Sequence, residues 1–229
     1  MTDSWILFET SGRSGRVGVA IDGRVVGEVV LDESRRHARD LAACTGALLS
    51  QAGLTPSSVR GVMVSVGPGS FTGLRVGVTS AKLFAYASGC ELIAVPTFHA
   101  IANRVSSQFR RVDVIADALQ GHVYSQRFAV EGAQVTAENE LRIESLDQWL
   151  TSLPADVAVT GPGIAVYDSR IPSDTIKLEA GLRLPTIESL LHAGRRLTPI
   201  SKNEIAALEP IYLRGSSAEE KAKAATIQS

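Results

Sequence analysis

The sequence predicts an α/β fold of two related lobes, each a mixed β-sheet with helices. Three observations predict it. Residues 61–89, GVMVSVGPGSFTGLRVGVTSAKLFAYASG, read as a buried strand, a glycine-rich turn and a long helix. Ahead of them, residues 5–31 read as three strands joined by tight turns, and a helix follows over 33–52. The opening theme then returns. The apolar run Val112–Asp117 ends in an acid, as the run from Trp5 ends in Glu9. Glu9 and Asp117 therefore stand in corresponding places. The expected division is 1–106 for the first lobe, 107–214 for the second, and a frayed, disordered tail over 215–229.

Each element has a local cause. Trp5–Phe8 is the first strand and runs into Glu9-Thr10-Ser11, with a turn over Gly12–Gly15. Val17, Val19 and Ile21 alternate in the second strand, Asp22-Gly23 marks a hairpin, and Val25–Leu31 is the third strand. In the helix at 33–52, Ala38, Leu41, Ala42, Cys44, Leu48, Leu49 and Ala52 cover most of the circumference, and Gly53 ends it. Its first turn, Arg35–Arg39 with His37, is basic and opposes the helix dipole, so acidic partners are expected there. Val62–Val66 form the central strand. Gly67, Pro68 and Gly69 stop it, because glycine takes dihedrals other residues avoid and proline lacks a ladder donor. Ser70 is the N-cap of a helix over Phe71–Ser88, with Gly89 just past its end.

A strand at Leu92–Val95 is stopped by Pro96, and Thr97 caps a short helix through Val105. After Val112–Asp117 the chain turns at Gln120-Gly121, returns along Val123–Val130 and turns again at Glu131-Gly132. A helix over Leu146–Leu153, a strand over Val157–Thr160, the turn Gly161-Pro162-Gly163, a helix over Ile187–Leu197 and an ordered segment at 210–214 complete the chain.

The central helix has two apolar faces. At about 100° per residue, Leu74, Val78, Ala81 and Ala85 share one side, while Val76, Leu83, Phe84 and Ala87 lie roughly opposite. A narrow stripe of Thr72, Arg75, Thr79, Lys82 and Tyr86 separates them. Two apolar faces mean burial on two sides. The first is assigned to the protein's own sheet and the second to a partner. Gly73, Gly77 and Ser80 are small enough for a second helix to come close. With the similarly over-apolar helix before it, this gives a candidate interface of Leu41, Cys44, Leu48, Gly73, Val76, Gly77, Ser80, Leu83 and Ala87.

Other functions lack their residues. The net charge of −1 predicts no general attraction to nucleic acid or anionic membrane. The N-terminus has no basic region with a long apolar core, and no apolar run reaches the ~18 residues of a membrane span. Cys44 and Cys90 read as reduced thiols of a cytoplasmic protein. Gly67, Gly69 and Gly73 are spaced G-x-G-x-x-x-G, one residue too long for the dinucleotide fingerprint, and no lysine follows to make a P-loop. Pro68 removes a donor from any phosphate cradle, and neither Ser65 nor Ser70 sits in a nucleophile elbow. A structural turn is favoured over a phosphate site. Glu9, Thr10, Ser11 and Asp117 are left with a nucleotide-contact or turn role; a carboxylate such as Glu9 or Asp117 could hold Mg²⁺ through water, but an acid at a strand end is more often a cap.

The stretch Ser65–Gly77, SVGPGSFTGLRVG, resembles the TsaB family, the bacterial partner proteins of tRNA threonylcarbamoyladenosine synthesis. Glu9-Thr10-Ser11 stands at that family's acid-Thr-Ser, Arg36-His37 at its Arg-His position, DALQGHVY (117–124) at its D-A-R-x-G-E-V-Y, and PIYLR (210–214) at its terminal motif. Leu119, Gln120 and His122 depart from the second motif. The resemblance implies the actin/Hsp70-like ASKHA fold. It also implies a non-catalytic subunit without cofactor or metal, which pairs with the transferase TsaD, is joined by the ATPase TsaE, forms a homodimer when alone and meets tRNA only in the complex. In TsaD a His pair binds metal; here Thr97 and Ile101 take those positions and His99 lies between them. His37, His122 and His192 show no ligand spacing. An ASKHA-type enzyme, either ATPase or kinase or metallopeptidase-like, is the rival, and a stand-alone RNA-binding protein comes third.

Overall fold

The computed structural model describes residues 3–31, 37–105 and 108–213. The first sheet holds β1 (Ser4–Glu9), β2 (Arg16–Ile21), β3 (Arg24–Val30), β4 (Gly61–Ser65) and β5 (Glu91–Val95), in the order β3-β2-β1-β4-β5. The three early strands pair antiparallel, and β4 and β5 run parallel to β1. The short turns at Gly12–Gly15 and Asp22-Gly23 allow the antiparallel pairs. The parallel pairs need crossovers, supplied by α1 (His37–Gln51) and α2 (Phe71–Ser88).

The second sheet repeats this plan. It holds β6 (Arg111–Asp117), β7 (His122–Glu131), β8 (Gln134–Ala137) and β10 (Ala158–Thr160), in the order β10-β6-β7-β8, with β9 (Arg142–Ser145) also on β7. β6 pairs antiparallel with β7 and parallel with β10. So β6 stands where β1 does, β7 where β2 does and β10 where β4 does. Both β4 and β10 run into a Gly-Pro-Gly turn and then a helix, α2 in one lobe and α5 (Gly163–Tyr167) in the other. The first glycine of each turn has positive φ, 112° at Gly67 and 105° at Gly161. This is the ASKHA-like α/β arrangement, and the correspondence of Glu9 with Asp117 follows from it.

Four apolar layers hold the lobes. Ile6, Phe8, Val62 and Val64 meet α1 and α2 on one face of the first sheet. Trp5, Leu7, Met63 and Ile93 meet α6 (Ile187–Gly194) on the other. In the second lobe, α3 (Thr97–Ala102) packs Phe98 and Ile101 on Val112, Val114 and Phe128. Trp149 of α4 (Leu146–Ser152) packs with Ile115 and Val159 on the opposite face. Trp149 also donates to Asp113 Oδ2 at 3.1 Å, and Arg127 clamps the same carboxylate with bonds of 2.6 and 2.8 Å. α3 and α6 touch each other between the two sheets. Each thus crosses from its own stretch of sequence to pack on the other lobe's sheet.

Several boundaries differ from expectation. α2 and its caps are as read: Ser70 Oγ accepts from Gly73 N, and Gly89 is left-handed with its N–H on Ala85 O. α3 is capped at Pro96 and ends at Ala102 rather than Val105. The Thr97 hydroxyl accepts from Gly67 N at 3.2 Å, so it ties α3 to the glycine turn instead of capping. α6 ends at Gly194, short of Leu197. β8, β9 and α5 were not foreseen, since four or five mixed residues give too little periodicity. Arg35, Arg36, Arg214 and the tail at 215–229 lie outside the described residues, and so do the side chains of His37 and Arg39.

The last described stretch returns to the first lobe. Ile200 N donates to Leu92 O at 2.8 Å, and Ile211 N to Val66 O at 2.7 Å. Lys82 Nζ on α2 donates to the carbonyls of Ala206 and Leu208. No helix among the described residues is long and apolar enough to cross a membrane.

Candidate functional site

α2 is buried on one side only. Leu74, Val78, Ala81 and Ala85 are almost fully covered and face the first sheet, as the periodicity assigned them. Val76 and Phe84 are half-buried at the core's edge. Leu83 is 64% exposed and Tyr86 88% exposed, and Ala87 also faces solvent. Fully burying a leucine is worth about 1.5–3 kcal/mol, and on this face that apolar surface stays in water.

α1 requires a correction. Leu41 and Leu48 were placed at a partner surface, but they are buried in the core beneath α1. Cys44 is half-buried at its edge. The face α1 offers to solvent is one position round: Ala42, Ala43, Gly46 and Ala47. These are small residues, and a neighbouring helix axis can come close over them. Between α1 and α2 runs an apolar groove of about 700 Å³, with Leu41, Leu49 and Phe8 at its base and Ala42, Gly46, Val76, Ser80 and Leu83 along its walls. Ala42 and Gly46 could have been read from the sequence, had the helical phase been set by the bulky residues alone.

Gly73 and Gly77 are corrected too. They are small for the sake of this chain's own turn after β1. A Cβ at Gly73 would lie 2.1 Å from Thr10 O, and one at Gly77 2.1 Å from Thr10 Oγ1. Ser70 N donates to Ser11 O at 2.7 Å. The start of α2 thus packs against the Thr10-Ser11 turn, which takes the Ser70 N–H. Asp117 serves its own turn in the same way. Its Oδ1 accepts from Leu119 N at 2.8 Å and from Tyr167 Oη at 2.6 Å. Burial, then the carboxylate, pushes the Tyr167 hydroxyl up to about 12.

Glu9 is buried. One carboxylate oxygen accepts from Ser11 N at 2.7 Å and from the Ser11 hydroxyl; Oε2 has no hydrogen-bond partner. Burial pushes its carboxyl up from 4.5, and the bonds from Ser11 and the nearby Ser65 hydroxyl offset part of that. The sign for stability follows. Between 4.5 and the raised folded value, the native state holds a proton that the unfolded state has released. Stability therefore falls as pH rises through that window. Glu9→Gln keeps an acceptor for Ser11 and cannot ionise. Its melting temperature is expected to gain on the parent's as pH rises above 4.5, in thermal melts taken across a pH series. Parallel curves for the two proteins would show Glu9 to be ionised in the fold.

The remaining positions have structural duties. Ile101 is fully buried in the second lobe's core. His99 Nε2 lies 3.0 Å from Val135 O, and its ring stacks on Phe128. Among the described residues no three His, Cys, Asp or Glu side chains gather as metal ligands.

Fold and site together define a class: a two-lobed ASKHA-like protein whose glycine turn is closed by its own backbone and whose helical face stands uncovered. The family model described as TsaD, tRNA N6-adenosine threonylcarbamoyltransferase, matches residues 24–220, and the chain belongs to that family. Within it the chain is similar to TsaB. The tRNA threonylcarbamoyladenosine biosynthesis protein TsaB of Bacillus subtilis is 26% identical over 120 residues, 52% of each chain. An uncharacterised protein of Mycobacterium tuberculosis is 36% identical over 104 residues, 45% of this chain and 48% of that one. The matches thus span about half the length of these curated relatives. The structure of YeaZ from Pseudomonas aeruginosa superposes with a TM-score of 0.78 at 24% identity, covering 92% of this chain and all of that one, and shows the shared fold.

Proposed function

We propose that this chain is a non-catalytic subunit supporting a TsaD-like transferase in the synthesis of threonylcarbamoyladenosine in tRNA. It acts by docking through the exposed faces of α1 and α2. The observation that carries this is the open apolar groove between the two helices, flanked by the exposed Leu83 and Tyr86. Contiguous exposed apolar surface of this kind marks an interaction site. When the transferase is absent, two copies pair through the same face. A TsaE-like ATPase joins the complex, and tRNA meets the chain only there. The transfer chemistry belongs to the partner: here Ile101 fills a core position where TsaD carries a metal-binding histidine, and Glu9 is sealed under Ser11.

The test is reconstitution. Alone, the chain is expected to hydrolyse ATP, cleave peptides and modify tRNA no faster than a blank. Added to a TsaD-like transferase, a TsaE-like ATPase and threonylcarbamoyl-adenylate, it is expected to switch on tRNA modification. Turnover by the isolated chain that disappears in Glu9→Gln or Asp117→Asn would overturn the non-catalytic assignment.

A further inference from the structure

We propose that the hollow between the two lobes, at the end of the molecule away from Glu9, binds a small phosphomonoester. The hollow has a volume of about 370 Å³, within the roughly 300–1,000 Å³ of small-ligand sites. Two hairpin tips wall it, Gly23 between β2 and β3 of the first lobe and Gly132 between β7 and β8 of the second. It lies by the start of β1, where Asp22 N donates to Asp3 O at 2.9 Å. Glu9 ends that strand, so about 17 Å of strand separates the hollow from Glu9 and the glycine turn.

The lining is one-signed. His192 stands in the last turn of α6, and Arg195 and Arg196 stand just past its end. Among the described residues no aspartate or glutamate lines the hollow. The carbonyl end of a helix favours a nearby cation. That pull alone does not turn three such side chains to one hollow, where their charges repel one another. Arg195 lies across the first hairpin: a Cβ at Gly23 would stand 1.8 Å from its Nη1, so the glycine leaves the room the guanidinium occupies. The Asp3 carboxylate beside it is 3.7 Å away, and already accepts from Trp5 Nε1 at 2.8 Å and Arg60 Nη1 at 3.0 Å. Arg196 has no hydrogen bond or ion pair with any described residue. Its charge reaches His99 of α3, whose imidazole is held below its usual range by burial first, with Arg196 adding to the effect and the bond to Val135 O opposing it.

Two guanidiniums with donors to spare, joined by an imidazole, suit the several acceptor oxygens of a phosphate. The buried part of the lining, Val105 and Val135, is apolar and gives an organic body a dry seat that a bare ion would leave unused. An RNA backbone needs a groove that tracks successive phosphates. A hollow walled by two hairpin tips takes a single phosphorylated end.

The test is calorimetric titration of the full chain at physiological salt with AMP, inorganic phosphate and a short single-stranded RNA. AMP is expected to bind at one site per chain, more tightly than the other two. Arg195→Gln and Arg196→Gln are each expected to weaken AMP by at least about tenfold and to melt as the parent does, because both side chains are exposed. If Arg195→Gln melts low through its tie to Asp3, Arg196→Gln, which has no such tie, decides. Glu9→Gln is expected to bind AMP as the parent does. Absence of AMP binding, or parental affinity in both arginine variants, would overturn the site. Loss in Glu9→Gln alone would put the ligand at the glycine turn and overturn it too. Inorganic phosphate binding as tightly as AMP would overturn the organic body. RNA binding more tightly than AMP, with the same dependence on the two arginines, would make a nucleic-acid backbone the occupant and overturn the small-molecule assignment.

Discussion

Val78→Asp is expected to unfold the chain. Val78 is 2% exposed, on the side of α2 that packs into the first core. An uncompensated charge there costs on the order of 3–5 kcal/mol, against ~5–15 kcal/mol for the stability of a whole domain. The valine's own packing is lost as well. Circular dichroism should show no cooperative melt, or a midpoint far below the parent's. Leu83→Asp, five residues on and 64% exposed, is expected to melt within a few degrees of the parent, because its charge stays hydrated. Equal damage from both substitutions would mean that α2 is enclosed within one chain.

Gly73→Ala is expected to destabilise the isolated chain, not merely its complexes. The new Cβ would stand 2.1 Å from Thr10 O, a backbone atom at the end of β1 that cannot swing aside. Either α2 lifts off the sheet or the Thr10-Ser11 turn moves, and Ser70 N then loses its bond to Ser11 O. Overpacking of this kind costs about 1–3 kcal/mol or more. Alanine's better helix propensity returns only about 1 kcal/mol. A denaturant midpoint well below the parent's is the expected result. A parental midpoint with partner binding lost would return Gly73 to a helix–helix interface.

Most of the fold was legible because its signals are local. Ser70 and Gly89 bound α2 by cap chemistry, and Asp22-Gly23 sets a hairpin. The repeat of an acid-ended strand, Glu9 and Asp117, pointed to two lobes. What was not legible depends on contacts distant in sequence. Periodicity gives α1 an apolar circumference but not the sheet's position, so Leu41 and Leu48 were assigned to a partner when they face the core. Gly73 and Gly77 read as an invitation to another helix, because nothing near them in sequence says that Thr10 fills the space. Thr97 looked like a cap, but its hydroxyl is taken by Gly67, thirty residues earlier. The Arg75–Phe71–Tyr212 cluster joins residues 137 positions apart, from the glycine-turn motif and the PIYLR segment, and nothing local in either says that the two meet.

Amide hydrogen exchange on the full chain, with and without a purified TsaD-like subunit, tests the docking role most directly. The complex is expected to slow exchange in α1 and α2, around Ala42–Ala47 and Arg75–Ala87, and to leave the second lobe's β6–β7 pair unchanged. Protection confined to the second lobe, with α1 and α2 exchanging as in the free chain, would contradict it.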